Sequence, residues 1–362
     1  MIVIICVLVS IETMPEEHDN KIITSGMEHS GGLYDGQNQR GGILERLPYY
    51  LSGKDVVTVD ITRGTCNIGG NSKKIGLYNL SVKKNQKGYQ GVVRGSTWNG
   101  CCQENVSPPF SYCYYIVLDD NGGVENLERL KLDYDRLSNC TTYYNGVHAN
   151  GIEDPRLFMF QGEEWVIASC LGSEEQPHPC VNAMCLFKVS DSNNKLRIIT
   201  PPMGTDVLQR QKNWAPFEWK GRLLCEYSIC PHIILEIDPD TGVSEELYNT
   251  GSCNANISED TSLRGGTPPI LLTYDGKTFY IAVGHIRTGE TSDYFHFFYT
   301  FQDKPPFSIT GMSKYFKLDG LERIQFAAGL SSYDDKLYIS YGVDDCYNRV
   351  SSHLITDVMA LL

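Results

Sequence analysis

The chain has 362 residues, 41% hydrophobic and 21% charged, with 34 glycines and a formal net charge of −13. That is ample chain to bury a core, and the glycine content suits a turn-rich globular protein. The acidic balance, with no Lys/Arg cluster to offset it, argues against a nucleic-acid partner, which needs a basic surface to release counterions. A neutral or small charged ligand fits better.

The chain opens on MIVIICVLVSI. This apolar run falls short of the roughly 20 residues needed to cross a bilayer, so no stable membrane span is expected. It lacks a basic region before it and a small-x-small cleavage signal after it. Its β-branched content reads equally well as a buried strand. Residues 1–45 are therefore taken as an N-terminal extension, a strand or a vestigial leader, and 46–362 as one domain.

From there a single pattern recurs: apolar residues, a polar-Gly or polar-Asp turn, then an apolar or aromatic arm. It appears as VKKNQKGYQGVVRG, LFMFQGEEWVIAS, PFEWKGRLLCEYS, LLTYDGKTFYIAVGH and LSSYDDKLYISYG. Each reads as a tight hairpin. The turn residues Gly88, Gly162, Gly221, Gly276 and Asp335 are spaced by 74, 59, 55 and 59 residues. A hairpin repeated at such a period predicts an all-β, five-bladed β-propeller. A β-sandwich would show turn signals every 8–12 residues or so without this longer period. The long first interval is read as an insertion between blades one and two, from NGCCQENVSPPFSYCYY through LSNCTTYYNG. Helical periodicity is visible only around VENLERLKLDYDRL.

Thirteen cysteines are scattered along the chain. Cys170, Cys225 and Cys346 fall in or beside strand-like runs and read as free thiols acting as small hydrophobes. No pair of CxxC motifs supports zinc, and His178 stands near Cys180 and Cys185 at irregular spacing, so no metal site is expected. Sequons occur at Asn79, Asn105, Asn139 and Asn256. Reduced thiols in a cytoplasmic compartment are the expectation, with secretion as the alternative.

In a propeller, equivalent ends of the innermost strands converge on one mouth of the central channel. The residues bracketing the hairpins therefore become neighbours. Asn79 precedes the first hairpin and Arg94 follows it. Glu153, Asp154 and Arg156 lead into the second, and Lys212, Asn213 and Trp214 into the third, which exits through Glu226. Arg264 and Thr267 lead into the fourth, which ends in His285. The fifth begins near Gln325 and ends in Tyr341, Asp344 and Asp345. No GxSxG element is present, and NIGGNSKK lacks the GK[ST] ending of a phosphate loop.

EDPR in the second unit, KNWAPF in the third, GGTPP with a later strand-end His in the fourth and YGVDD in the fifth carry a resemblance. In order and spacing over residues 70–350 they resemble the family 130 glycoside hydrolases and phosphorylases and the related mannosyltransferase propellers. Residues 1–45 and the insertion match nothing in that family. The resemblance implies an enzyme that makes or cleaves a β-mannoside-like linkage with inversion, on an oligosaccharide or glycan. It implies Asp154 as the general acid. A carboxyl flanked by a second carboxylate in a partly dry funnel can stay protonated near neutral pH.

The same resemblance implies Asn79 and Arg94 as sugar-hydroxyl binders and Asp345, or Asp344, as a sugar-binding carboxylate. Lys212 and His285 match phosphate-binding positions, Arg156 is expected to hold Glu153 and the turn, and Glu153, Arg156, Asn213 and Glu226 complete the substrate-binding set. The sequence departs from the phosphorylases in SCLGSEEQPHPCVNAM, which lacks their additional Arg and carries Glu174 and Glu175. It departs again at CEYSICPH, where the family has a basic segment. Fewer cations weaken phosphorolysis and leave hydrolysis or glycosyl transfer more open. No cofactor is implied, with inorganic phosphate or a nucleotide-sugar donor as the conceivable co-substrates. The reading from another class is a non-catalytic, glycan- or protein-binding propeller, since the fold alone does not choose.

Overall fold

Turn chemistry sets the hairpins. In the computed structural model, Gln161-Gly162, Lys220-Gly221 and Asp275-Gly276 all have positive φ at both residues (51° and 75°, 51° and 75°, 47° and 70°). This is the type I′ geometry whose twist matches that of the flanking strands. In the first hairpin the turn falls one step earlier, at Gln86-Lys87. Gly88 opens the next strand there, because a Cβ on it would lie 2.0 Å from the Leu118 carbonyl oxygen.

The structure describes residues 49–50, 55–59, 64–68, 71–97, 110–134, 142–144, 147–171, 183–191, 195–205, 211–251, 263–288, 293–318, 320 and 324–362. The extension read at 1–45, much of the insertion, Glu174, Glu175, His178, Cys180 and the sequons Asn105, Asn139 and Asn256 lie outside them.

Most of the described strands fall into five antiparallel meanders, the first two joined into one sheet by a short parallel pairing of Phe110 and Ser111 with Asn150 and Gly151. The first runs Asn71–Asn85, Gly88–Ser96, Phe110–Leu118 and Val124–Arg129. The second runs Val147–Phe160, Glu163–Leu171, Ala183–Lys188 and Arg197–Ile199. The third comprises Ala215–Trp219, Arg222–Ser228, Ile233–Ile237 and Ser244–Asn249. The fourth comprises Ile270–Tyr274, Lys277–Thr288, Asp293–Gln302 and Ile309–Met312. The fifth runs Gln325–Tyr333, Lys336–Val343 and Tyr347–Leu354, and Asp55–Val59 from the start of the chain pairs antiparallel to its last strand. One short helix, Ile355–Met359, follows. The helical periodicity around VENLERLKLDYDRL is overridden: Val124–Arg129 is a strand paired with Phe110–Leu118. Sheet neighbours decide there over local spacing.

The core lies between meanders. Adjacent residues of one strand point to opposite faces, so each inner sheet feeds two clusters. Val92 packs with Ile152, Leu157 and Val166 of the second meander, while Val93 packs with Val350 of the fifth. Leu223 joins Phe158 and Ile167 of the second meander, while Leu224 joins Tyr280 and Phe297 of the fourth. Ala327 and Ile339 of the fifth pack on Ile281 and Phe298 of the fourth. Continuous apolar arms, rather than alternating ones, follow from burial on both faces.

Hydrogen bonds stitch the same pairs together. Leu157 N–H donates to Ser81 Oγ at 3.0 Å, and Ser81 Oγ–H donates to the Ala328 carbonyl at 3.0 Å. Asn348 bridges the Leu80 N–H and the Leu77 carbonyl, tying the fifth meander to the first. The architecture is all-β and propeller-type.

Two cysteine expectations are corrected. Cys170 forms a disulfide with Cys185, and Cys346 is also disulfide-bonded, as is Cys230. Cys225 is a free buried thiol, as is Cys113. Among the described residues no helix is long and apolar enough to cross a membrane.

Candidate active site

The site is built on irregularities within the inner strands of the first two meanders and just before that of the third. Asn79, Asp154 and Asn213 stand at matching places of the first three meanders, each with positive φ (57°, 51° and 66°). In the first two, the pairing with the neighbouring strand slips at this point. Such a bulge bends the strand and re-aims one side chain. Asn and Asp are the non-glycine residues that best tolerate this conformation, which accounts for the residue types locally. The fourth meander has Gly265 and Gly266 instead. A Cβ on Gly265 would lie 2.4 Å from the Asn213 carbonyl oxygen, so the strands approach too closely for a side chain.

Asp154 Oδ1 receives two hydrogen bonds from the first meander, from Asn79 Nδ2 at 2.8 Å and from an Arg94 terminal nitrogen at 3.1 Å. Among the described residues no hydrogen bond reaches Oδ2, and the side chain is 19% exposed. The other Arg94 terminal nitrogen donates to Glu153 Oε1 at 2.6 Å, and its Nε to Ser111 Oγ at 3.2 Å. The guanidinium also lies over the Tyr78 ring, 5.0 Å from its centroid. Lys212 of the third meander donates to Glu153 Oε2 at 2.8 Å.

Charge follows geometry. Burial alone would raise the Glu153 carboxyl, but Arg94 and Lys212 overcome it and hold it down at about 2. Burial likewise opposes the Arg94 and Lys212 charges, yet Glu153 holds both above their ordinary values. The carboxyl that burial raises is Asp345, pushed up to about 6, with Asp154, Glu153 and Asp344 adding to the rise and Arg94 opposing it.

The remaining expected residues separate into several environments. Arg156 does not hold Glu153. It is 1% exposed and donates to the Trp214 carbonyl at 3.0 Å and Asn213 Oδ1 at 2.7 Å, over the Phe326 ring. Burial pushes it down to about 10, with Asp154 partly opposing. Asn213 is therefore engaged in tying the second meander to the third. Glu226 is not brought into the cluster: it is buried between the third and fourth meanders, 2.7 Å from His232 Nε2 and accepting from Tyr299 Oη. His285 is buried and stacked on Tyr294; burial, with His296, Arg156 and Arg264 nearby, keeps its ring well below the usual value and neutral at pH 7.

Asp344 is spent on the backbone, accepting from Ile324 N–H at 3.2 Å. Thr267 and Gln325 are spent in the same way, on Val283 N–H and Leu318 N–H. The polar positions of the fourth and fifth meanders are thus largely structural. Tyr78, Ser111 and Tyr294 were not foreseen. Tyr78 could have been found, because it precedes Asn79 as Glu153 precedes Asp154. Trp214 and Trp165 are core residues.

No family model matches the chain, and no curated protein matches it in sequence. Solved structures do match. β-1,2-Mannobiose phosphorylase from Listeria innocua gives a TM-score of 0.57 at 15% identity, over 84% of this chain and 94% of that one. A glycosyl hydrolase from Bacteroides ovatus gives 0.55 at 12%, over 83% and 91%. A structure described with GH130 glycoside hydrolases that target β-1,2-mannosidic linkages in Candida mannan gives 0.55 at 14%, over 82% and 90%. At these identities the likeness concerns the course of the backbone. The chain has the propeller-type fold of the family 130 glycoside hydrolases and phosphorylases.

Proposed function

We propose that this protein is a carbohydrate-active enzyme that makes or cleaves a β-mannoside-like glycosidic linkage with inversion, with Asp154 as the proton-transfer carboxyl. In this reading the five meanders are the five blades of a propeller, and the bulges of the inner strands face its mouth. The observation that carries the reading is the mounting of Asp154. Its Oδ1 is fixed by Asn79 and Arg94, while Oδ2 is left without a described partner. A proton-transfer group needs that combination of a fixed orientation and one oxygen within reach of the substrate.

Glu153 is a poor candidate for the base. At a value of about 2 it is a weak proton acceptor, and both its oxygens are occupied. Its role is to hold Arg94 and Lys212 in place. That also bears on the attacking group. A phosphorylase must neutralise inorganic phosphate with cations, but Lys212 and Arg94 are already paired with carboxylates and His285 is neutral. Water or a sugar hydroxyl is therefore favoured over phosphate as the attacking group. The disulfides at Cys170, Cys185, Cys230 and Cys346 favour an oxidising compartment over the cytoplasmic one read from the sequence.

The test is product analysis after incubation with β-mannobiosides, with and without phosphate, and with a GDP-mannose donor plus a mannoside acceptor. Free mannose without phosphate, or an elongated glycan, is the expected result. Mannose 1-phosphate formed only when phosphate is present would overturn the preference against phosphorolysis. Binding without any product would return the chain to the non-catalytic reading.

A further inference from the structure

Three consecutive residues before the inner strand of the third meander are gripped by a single strand of the second. Lys212 Nζ donates to Glu153 Oε2 at 2.8 Å. Asn213 Oδ1 accepts from one terminal nitrogen of Arg156 at 2.7 Å, and the Trp214 carbonyl accepts from the other at 3.0 Å. The fourth meander covers the backbone of the same segment, because a Cβ on Gly265 would lie 2.4 Å from the Asn213 carbonyl oxygen. The buried Trp214 ring meets Tyr227 edge-on, with centroids 5.1 Å apart.

Arg156 is a costly residue for such a clasp. It is fully buried, both its terminal nitrogens bond neutral oxygens, and its Nε has no partner. Among the described residues no carboxylate pairs with it. A buried cation without a counter-charge is unfavourable, and an apolar side chain would serve strand packing alone. Its face lies over the Phe326 ring, 5.4 Å from the centroid, which offsets only part of that cost. What Arg156 adds is a planar fork of donors that reaches two adjacent residues of another sheet. Those two bonds hold Asn213 in its left-handed conformation, at φ 66°. The backbone turn at Asn213 in turn sets where the preceding Lys212 points.

From Lys212 an unbroken path of charged contacts leads to the acid. Lys212 bonds Glu153, Glu153 Oε1 accepts from Arg94 at 2.6 Å, and Arg94 donates to Asp154 Oδ1 at 3.1 Å. The path thus returns to the strand that carries Arg156. Lys212 is its most exposed member, with a side chain 31% exposed against 14% for Glu153. A lysine on a flexible stem has no fixed direction of its own, so its place on Glu153 depends on the backbone that carries it.

We infer that Arg156 is a positioning residue for the site: through Asn213 it holds Lys212 on Glu153, and thereby steadies the Arg94 fork that orients Asp154. The part concerning Lys212 and Glu153 stands on these contacts; the effect on turnover rests on the role given to Asp154 above. With Lys212 released, Glu153 is held at one oxygen only, and Arg94 and Asp154 share in its motion. Proton transfer, which needs the acid at a fixed distance and angle, suffers more than substrate binding does.

The test uses the full chain. Asn213→Gly removes the acceptor for Arg156 and still permits the positive φ, whereas Asn213→Asp keeps both. Arg156→Lys is the second probe of the clasp. The first readout is independent of activity: the rate of Lys212 acetylation by limiting acetic anhydride, by mass spectrometry, relative to the exposed Lys277 and Lys314. It should rise at least about fivefold in Asn213→Gly and in Arg156→Lys, as loss of a well-held ion pair implies, and stay within about twofold of wild type in Asn213→Asp. An unchanged rate at Lys212 in Asn213→Gly would overturn the clasp.

The second readout is turnover. Asn213→Gly should lose about tenfold in kcat with KM changed by less than about threefold, and Asn213→Asp should recover most of that loss. Added to Lys212→Met, Asn213→Gly should cost little more, because both act through one contact. Losses that simply add would mean a structural role alone and overturn the positioning, as would an unaltered kcat in Asn213→Gly. If Lys212 reacts as expected but the wild type turns over no glycoside, the functional reading fails while the clasp stands.

Discussion

Asn79 Nδ2 lies 2.8 Å from Asp154 Oδ1, and the two residues occupy the same register position on neighbouring meanders with φ of 57° and 51°. Each bulge aims its own side chain at the other. The acid is therefore oriented by a different sheet rather than by its own loop, and its geometry depends on how the two sheets pack. Gly342 of the fifth meander lies directly against Asn79 and completes the support.

Replacing the acid is the simplest test of the proposed chemistry. Asp154→Asn keeps an oxygen that can accept from Asn79 and Arg94, and Asn tolerates the positive φ. The fold should survive, with an unchanged circular dichroism spectrum, while kcat falls by about 10²–10⁴. Undiminished turnover in this variant would remove Asp154 from the mechanism.

Gly342→Ala tests the support from the fifth meander. The added Cβ would meet Asn79 Oδ1 at 2.1 Å and the Asn79 backbone nitrogen at 2.8 Å. Backbone cannot yield as a flexible side chain would, so a loss of about 1–3 kcal/mol in denaturant unfolding is expected. Activity should fall too, because Asn79 is displaced from Asp154. A variant as stable as the wild type would mean that the two meanders are not in contact there.

The Glu153 carboxyl is depressed in the folded state, from 4.5 to about 2. A depressed acid stabilises the fold above its unfolded value, and that contribution is lost as pH falls through the folded value. At pH 7, Glu153→Gln should be less stable than wild type by about 3 kcal/mol, because Arg94 and Lys212 lose their partner. The gap should close between about pH 4.5 and pH 2. Thermal melts of both proteins across that range check the sign, and a gap independent of pH would contradict the assignment.

Asp345 gives the opposite sign. Its carboxyl is raised from 3.8 to about 6. The fold is favoured by the protonated form at low pH and loses that contribution as pH rises through the folded value. Asp345→Asn, neutral at every pH, should therefore match the wild type near pH 4 or so and be more stable above about pH 6, by about 1–2 kcal/mol given its partial exposure. Chemical unfolding at about pH 5 and about pH 8 separates this from a variant that is merely better or worse packed.

The hairpins were legible because their turns are local. Gln161-Gly162, Lys220-Gly221 and Asp275-Gly276 need only two residues that accept positive φ between apolar arms. Asp154 and Asn79 were also legible, as polar residues leading into repeating hairpins. The partners were not. Arg156 reads beside Glu153 in the sequence but points to Asn213 and the Trp214 carbonyl, because the bulge between the two residues breaks the strand's regular alternation and the third meander offers the partners. Glu226 reads as a site acid yet is closed between two sheets with His232 and Tyr299.

What the sequence determined by itself is the repeating strand–turn–strand unit, its period and the residue types at each strand start. These depend on backbone preference and on apolar patterning within a few residues. Only the tertiary structure decided which charges pair, which cysteines are bonded and which acid lacks a cation. Those outcomes depend on distances between meanders. They place Arg94 between Glu153 and Asp154, tie Lys212 to Glu153 and leave Asp345 in a half-dry turn without a cation of its own. Burial and pairing set the free energy of a charge, and neither is a property of the residues next to it in the chain.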